Sequence, residues 1–254
     1  MFYKAEVEGA TLNRVGRANE DNLVVDRLIQ GISGASRFSF KTVLDLKSPH
    51  VLAVLDGAGG TADGGAASEL AARVFSEETA ALATLTEEAL LAALDKTNQA
   101  VVELFAQGEI GASTLSAVVL QEASATVAYL GDSPVFLLRE GVLQQLTVPH
   151  TEATLRGLAV TGDKSDPTEN CLVRYLGHRR YSGREQVELL RLDLCRGDLL
   201  LLCSDGIEKG LSPEKVQKIL QKKNPAEELV RMAYRQAEKK NCLDDTTALV
   251  IRMI

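Results

Sequence analysis

The run Val51-Leu52-Ala53-Val54-Leu55 constrains this chain most. Five consecutive apolar residues fit a strand buried on both faces, and the run stops at Asp56, followed by Gly57-Ala58-Gly59-Gly60, where glycine lets the backbone turn sharply. Asp56 is therefore expected at a strand end, where a buried strand holds a side chain more firmly than a loop and glycines let a metal or phosphate approach the main chain. Asp and Gly also favour plain turns, so this stretch by itself does not define a site.

Recurrence changes the reading. Leu199-Leu200-Leu201-Leu202-Cys203 runs out into Ser204-Asp205-Gly206, and Val127-Ala128-Tyr129-Leu130 into Gly131-Asp132-Ser133. Asp244-Asp245 reverses the order, preceding the β-branched run Thr246 to Ile251, and Asn19-Glu20-Asp21-Asn22 lies between two expected strands. Five acidic strand ends exceed what turn chemistry needs. If they converge, like charges raise one another's pKa unless a cation neutralises them, and an oxygen-only donor set suits magnesium or manganese.

At 254 residues and 45% hydrophobic content the chain is ample for a core, and no linker, internal repeat or low-complexity stretch divides it. A net charge of −7 argues against a nucleic-acid partner, which rewards a basic stripe. No apolar run approaches a membrane span and the first residues lack a long apolar segment, so a cytoplasmic, monomeric protein without membrane contact is expected. Cys171, Cys195, Cys203 and Cys242 lack Cys-x-x-Cys spacing and read as reduced and structural; His50, His150 and His178 lack paired metal-ligand spacing, which speaks against zinc.

Along the chain, β-type segments such as Asn22 to Ile29 and Arg37 to Leu46 come first. Two helices follow the buried strand: Ala66 to Leu82, then one opened by a Thr84–Glu87 capping box, with Leu90, Leu94, Val101, Leu104 and Phe105 on one face and Gly108 placed to end it. A meander of Ser113–Leu120, Thr126–Leu130, Val135–Arg139 and Val142–Leu146 precedes a long flap or loop at about 149–183, of the kind that borders a site. Val187 to Leu194 alternates like a half-buried strand and is expected to pair with Leu199–Cys203. Ser212-Pro213 and Asn224-Pro225 open two late helices, with apolar faces Val216, Ile219, Leu220 and Leu229, Met232, Ala233. This order predicts an α+β fold: a four-layer αββα sandwich of two antiparallel sheets with a helix pair on each outer face, forming a single domain over 1–254.

Six pieces in register, Asn19-Glu20-Asp21, Asp56-Gly57-Ala58-Gly59-Gly60, Gly111-Ala112-Ser113-Thr114, Gly131-Asp132-Ser133, Leu202-Cys203-Ser204-Asp205-Gly206 and Asp244-Asp245-Thr246-Thr247, make the chain resemble the metal-dependent serine/threonine protein phosphatases of type 2C, the PPM family, in its bacterial branch. The resemblance implies hydrolysis of phosphoserine and phosphothreonine in proteins with two Mn or Mg ions bridged by Asp56. Glu20 and the carbonyl of Gly57 would complete one site and Asp205 and Asp244 the other, with Asp21 orienting bound water. It also implies departures. Ala58 stands where the family has a His thought to protonate the leaving oxygen. Gly16 stands at the place of a phosphate-binding Arg, so Arg17, one position later, is either that ligand or a surface arginine, and Arg14 ranks behind it. Lys209 replaces the acidic residue that, with Asp132, resembles a third-metal site, and reads equally as a fixed charge beside Asp132 or as a solvated lysine.

Two rivals are weighed. Gly57-Ala58-Gly59-Gly60-Thr61-Ala62 fits a dinucleotide-binding pattern, but a second helix follows the first where a βαβ unit needs a parallel strand. No Gly-Lys-Ser/Thr follows to make a P-loop. The other rival is a catalytically weak member of the same fold that binds metal or a partner protein, suggested by Ala58, Gly16 and Lys209.

Overall fold

The computed structural model describes residues 4–28, 37–58, 63–82, 84–106, 111–158, 166–180 and 187–254. In chain order the elements are β1 (Lys4–Leu12), β2 (Asp21–Val25), β3 (Arg27–Leu28), β4 (Arg37–Asp45), β5 (His50–Ala58), α1 (Asp63–Ala80), α2 (Glu87–Leu104), β6 (Ala112–Ser113), β7 (Leu115–Gln121), β8 (Ser124–Leu130), β9 (Val135–Arg139) and β10 (Val142–Gln145). There follow α3 (Glu152–Leu155), α4 (Pro167–Asn170), β11 (Glu188–Asp193), β12 (Leu199–Cys203), α5 (Gly206–Gly210), α6 (Pro213–Leu220), α7 (Pro225–Lys239) and β13 (Thr246–Met253).

One sheet runs β10-β9-β12-β13-β1-β4 and the other β11-β8-β7-β5-β2-β3, with β6 attached to the end of β5. Every pairing is antiparallel. Alternation along each strand decides where the cores lie. On β5, Leu52 and Val54 join Leu23, Val118, Leu200, Leu202, Leu249 and Ile251 between the sheets. Val51, Ala53 and Leu55 face the other way, onto Ala71, Phe75, Leu90 and Leu94 of α1 and α2. Leu199, Leu201 and Val250 pack outward onto Val216, Ile219, Leu220, Leu229 and Ala233 of α6 and α7. Helices, sheet, sheet and helices thus form the expected four layers. The antiparallel pairing of β5 with β7 after the α1–α2 pair removes the dinucleotide-binding alternative, which requires a parallel crossover.

Several local expectations are corrected. The half-buried strand β11 pairs with β8 in the second sheet and not with β12, whose two edges are taken by β13 and β9. Its two-sided apolar character fits that edge: Leu190 and Leu192 touch the inter-sheet core while Leu189 packs under the helices. Helix α2 is capped by Thr86, which accepts from Ala89 N at 3.2 Å, so the Thr84–Glu87 spacing is not its capping box. Leu104 is 47% exposed and leaves the buried face; Gly108 lies outside the described residues. Ser212 and Asn224 do precede helices with Pro at the first turn, but neither side chain caps, and Asn224 is in the left-handed region at φ 73°. The expected strand 113–120 divides into β6 and β7, and the described part of Asn22–Ile29 divides at Asp26, where φ is 59°.

The described part of 149–183 is not structureless. It contains α3 and α4, a Thr151–Leu172 bridge, and Leu176, fully buried and paired with Ser113. Helices of four residues are too short to leave a periodic trace in sequence. His150 anchors the entry: its Nδ1 accepts from Gly131 N at 3.2 Å and its ring stacks on Tyr129 at 5.0 Å. Burial lowers its pKa to about 4, so the imidazole is neutral.

Candidate metal centre and active site

Parity brings the carboxylates together. Asp56 is two residues beyond Val54 and Asp21 two before Leu23, so both side chains turn toward the gap between the sheets, and the two residues are direct partners in the β2–β5 ladder. From the first sheet, Ser204 lies two beyond Leu202 and Thr247 two before Leu249, and both meet the same end of the gap. There the apolar core gives way to a buried polar column. Ser204 Oγ donates to Asp21 Oδ2 at 2.7 Å and accepts from Thr247 N at 3.0 Å. Thr247 bonds Thr11 at 2.7 Å, and Asn19 donates to Thr11 at 2.8 Å. The column ties the two sheets together below the site.

Above it opens a cleft of about 390 Å³ lined by Arg14, Glu20, Asp56, Gly57, Ala58, Thr114, Asp132, Asn170, Leu172, Asp205, Lys209, Cys242, Leu243 and Asp244. Thr114 fixes the end of β5 by accepting from Asp56 N at 3.0 Å and donating its own N–H to Asp56 O at 2.8 Å. Gly57 admits no side chain: a Cβ there would stand 2.3 Å from the carbonyl oxygen of Gly64, where α1 begins. Asp245 shapes the opposite wall. Its two carboxylate oxygens accept from Arg14 N at 2.6 Å and Glu20 N at 2.7 Å, lashing the β1–β2 loop to the start of β13.

Of the residues singled out from the sequence, Glu20, Asp56, Gly57, Asp132, Asp205 and Asp244 line this one cleft. Asp21 is fully buried beneath it, behind Asp56, and Arg17 is exposed and outside it. Arg14 lines the cleft instead, and its Nε is buried without a hydrogen-bond partner. The signal was Gly16. With φ +80° at the third position and Arg17 N bonded to Arg14 O at 3.2 Å, residues 14–17 make a reversal that puts Arg14, not Arg17, on the cleft side. Asn170 and Leu172 join from the 149–183 segment, as a flap bordering a site should.

The electrostatics are those of crowded acids. Burial first, then the charges of Asp21, Asp205 and Asp244, raises the Asp56 carboxyl well above its ordinary value. Burial and the charge of Asp245 push Asp21 up to about 8, and the same two causes raise Glu20. Lys209 is the counterweight: burial works against its charge, but Asp205 and Asp244 hold its pKa above the ordinary lysine value. Its Nζ lies 2.7 Å from Asp205 and bonds Asp244 as well. It therefore faces the core carboxylates and is not the solvated lysine considered from sequence.

Does this set suit divalent cations? The donors are carboxylates and a backbone carbonyl, which suit hard ions, and Asp21 Oδ1 is a buried oxygen with no hydrogen-bond partner. The residues fit. Among the described residues, however, no three acidic, His or Cys side chains are already drawn into a closed cage, so the carboxylates line the cleft without completing coordination. All four cysteines are free, with Cys203 buried and Cys171 and Cys195 exposed. No helix among the described residues is long and apolar enough to cross a membrane.

Comparison with known proteins agrees. The family model described as Protein phosphatase 2C matches residues 39–245. The serine/threonine phosphatase stp of Listeria innocua is 33% identical over 221 residues, 81% of this chain and 84% of that protein. The crystal structure of MsPP, a PPM Ser-Thr phosphatase from Mycobacterium smegmatis solved in complex with cacodylate, superposes with a TM-score of 0.75 at 26% identity over 98% of each chain. The catalytic domain of the serine/threonine protein phosphatase PstP, solved with two manganese ions, gives 0.74 at 24% identity over 99% of each chain and shares the fold.

Proposed function

Since this chain belongs to the protein phosphatase 2C (PPM) family and is a protein serine/threonine phosphatase, we propose that it cleaves phosphoserine and phosphothreonine with a water activated by two Mn or Mg ions. In this reading Asp56, Glu20 and the Gly57 carbonyl would hold one ion, and Asp56 with Asp205 and Asp244 would hold the other. When bound, the pair would supply a nucleophile of lowered pKa and positive charge against the phosphate. Arg14, with its unpartnered Nε at the cleft wall, binds the phosphate oxygens, a task suited to a guanidinium. We assign this to Arg14 in place of Arg17. Asp21, beside Asp56 in the β2–β5 ladder, accepts from Ser204 Oγ and would orient metal-bound water. Asp245 fixes the loop that carries Arg14 and Glu20. Ala58 has no proton to give, so the leaving alkoxide takes its proton from solvent. The whole of 1–254 acts as one catalytic domain, a monomer in the cytoplasm, with Asn170 and Leu172 of the 149–183 segment toward the substrate and Asp132 left with an incomplete third site.

The observation that carries this reading is the convergence of Glu20, Asp56, Asp205 and Asp244, from both sheets, on one cleft. The test is phosphate release from a phosphothreonine peptide with Mn, then with excess chelator. Activity should vanish on chelation and return with metal; undiminished turnover in chelator would overturn the assignment.

A further inference from the structure

The Lys209 side chain is built into place from several directions. Asp205 stands at the N-terminus of α5, and Lys209, four residues on, falls on the same helix face, where opposite charges meet. Its side chain is 16% exposed. The carbonyl of Lys209 is itself held, accepting from Lys240 Nζ at 3.1 Å and facing Cys242 Sγ at 3.6 Å, so the end of α5 is fastened to the segment beyond α7. An ammonium offers three donors and no acceptor, and here it takes oxygens of Asp205 and Asp244 that a divalent ion on that side would need. Asp56 and Glu20 have no ion pair with a described residue.

We propose that Lys209 is a tethered competitor for metal: its ammonium holds the Asp205–Asp244 half of the cluster, so one divalent ion binds tightly on the Glu20–Asp56–Gly57 half and the second enters only by turning the lysine out. The inference rests on the two-ion reading above and adds what this chain does to it. Metal occupancy becomes stepwise, and phosphatase output follows divalent-ion concentration beyond the point at which the first site is full. Displacing a charged hydrogen-bonding partner weakens the second site by roughly ten- to a hundredfold relative to the same site without the lysine.

The experiment counts bound ions and does not depend on turnover. Mn is titrated into the native protein and into Lys209→Met, with calorimetry for affinity and electron paramagnetic resonance for bound Mn per chain. The native protein should show one tight ion and a second weaker one, and Lys209→Met should tighten the second by roughly ten- to a hundredfold. Lys215→Met, which removes an exposed charge on α6, should leave both sites unchanged. Two ions of equal affinity in the native protein, or a second site unmoved by Lys209→Met, would overturn the role of Lys209 and leave the two-ion reading standing. Absence of Mn binding in every protein would overturn both. Should circular dichroism show that Lys209→Met does not fold, Lys209→Gln replaces it, and two ions of equal affinity in the native protein would still overturn the role of Lys209.

Discussion

The two sheets contribute acids to the same cleft, but they hold them differently. Asp21 and Asp56 are register partners on neighbouring buried strands, fixed by the backbone ladder, with no ion pair to a described cation and, on Asp21, one oxygen that no donor reaches. Asp205 and Asp244 sit where β12 passes into α5 and just before β13, in turns, and the ammonium of Lys209 closes on both. The rigid half is the one left short of positive charge; the half built on turns carries its own. Strand ends can hold like charges close because the ladder keeps them from spreading, whereas turns relax until a partner is found.

Asp56 belongs to both halves, so replacing it is the severest way to break the contrast. Asp56→Asn should lower kcat on a phosphopeptide by roughly 10²- to 10⁴-fold at saturating Mn, the scale of several kcal/mol of lost charge stabilisation. A loss under about tenfold would mean that the halves work independently. Next in size is the choice between the two arginines. Arg14→Ala should cost roughly ten- to a hundredfold in kcat/KM, as for a lost charged hydrogen bond, while Arg17→Ala should stay within about twofold. The reverse order would return the phosphate to Arg17.

A smaller effect is expected at Ala58, a cleft residue with no proton to donate. Ala58→His should raise turnover of a phosphoserine peptide by about tenfold, the low end for general acid catalysis. It should raise that of p-nitrophenyl phosphate much less, since nitrophenolate leaves without a proton. Equal gains on both would show that another group already protonates the leaving oxygen. The smallest effect is on stability. Asp21 titrates near 8 when folded against a reference of 3.8, so between those values the folded protein keeps a proton that the unfolded chain has released. Metal-free protein should therefore lose stability as pH rises from about 4 to 8, read as a falling Tm across that window. Asp21→Asn should flatten that slope, and an equally steep slope in the variant would assign it elsewhere in the rigid half.

Much of this was legible before any coordinates. A five-residue apolar run admits burial on both faces, and counting by twos from Val54 to Asp56 already aims the carboxylate into the same core as Leu52. What could not be read were contacts that depend on how distant pieces close. Alternation identifies β11 as half-buried but does not name its neighbour, and the edge it fills is set by β8. The sequence placed Lys209 near a third-ion position; only the fold shows that a side chain four residues after Asp205 reaches back to it and on to Asp244. Spacing favours Arg17 over Arg14, but Gly16 turns the chain between them, and it is Arg14 that lines the cleft. Asp245 looked like one more acid in a pair, and its hold on a loop 225 residues earlier had no local trace.

The place of β13 has a consequence in time. It is inserted between β1 and β12, with Thr246 opposite Leu12 and Ala248 opposite Cys203, although it is the last strand in chain order. Before it docks, β1 and β12 have no common neighbour, Ser204 lacks the Thr247 N–H, and the loop bearing Arg14 and Glu20 lacks the Asp245 carboxylate that accepts from both of their N–H groups. Pairings across such long separations close late, because the entropy of a large loop must be overcome before the contacts reward it. The acids at 244 and 245, the hold on the loop bearing Arg14 and Glu20 and the seam between β1 and β12 therefore all depend on this one strand being in place.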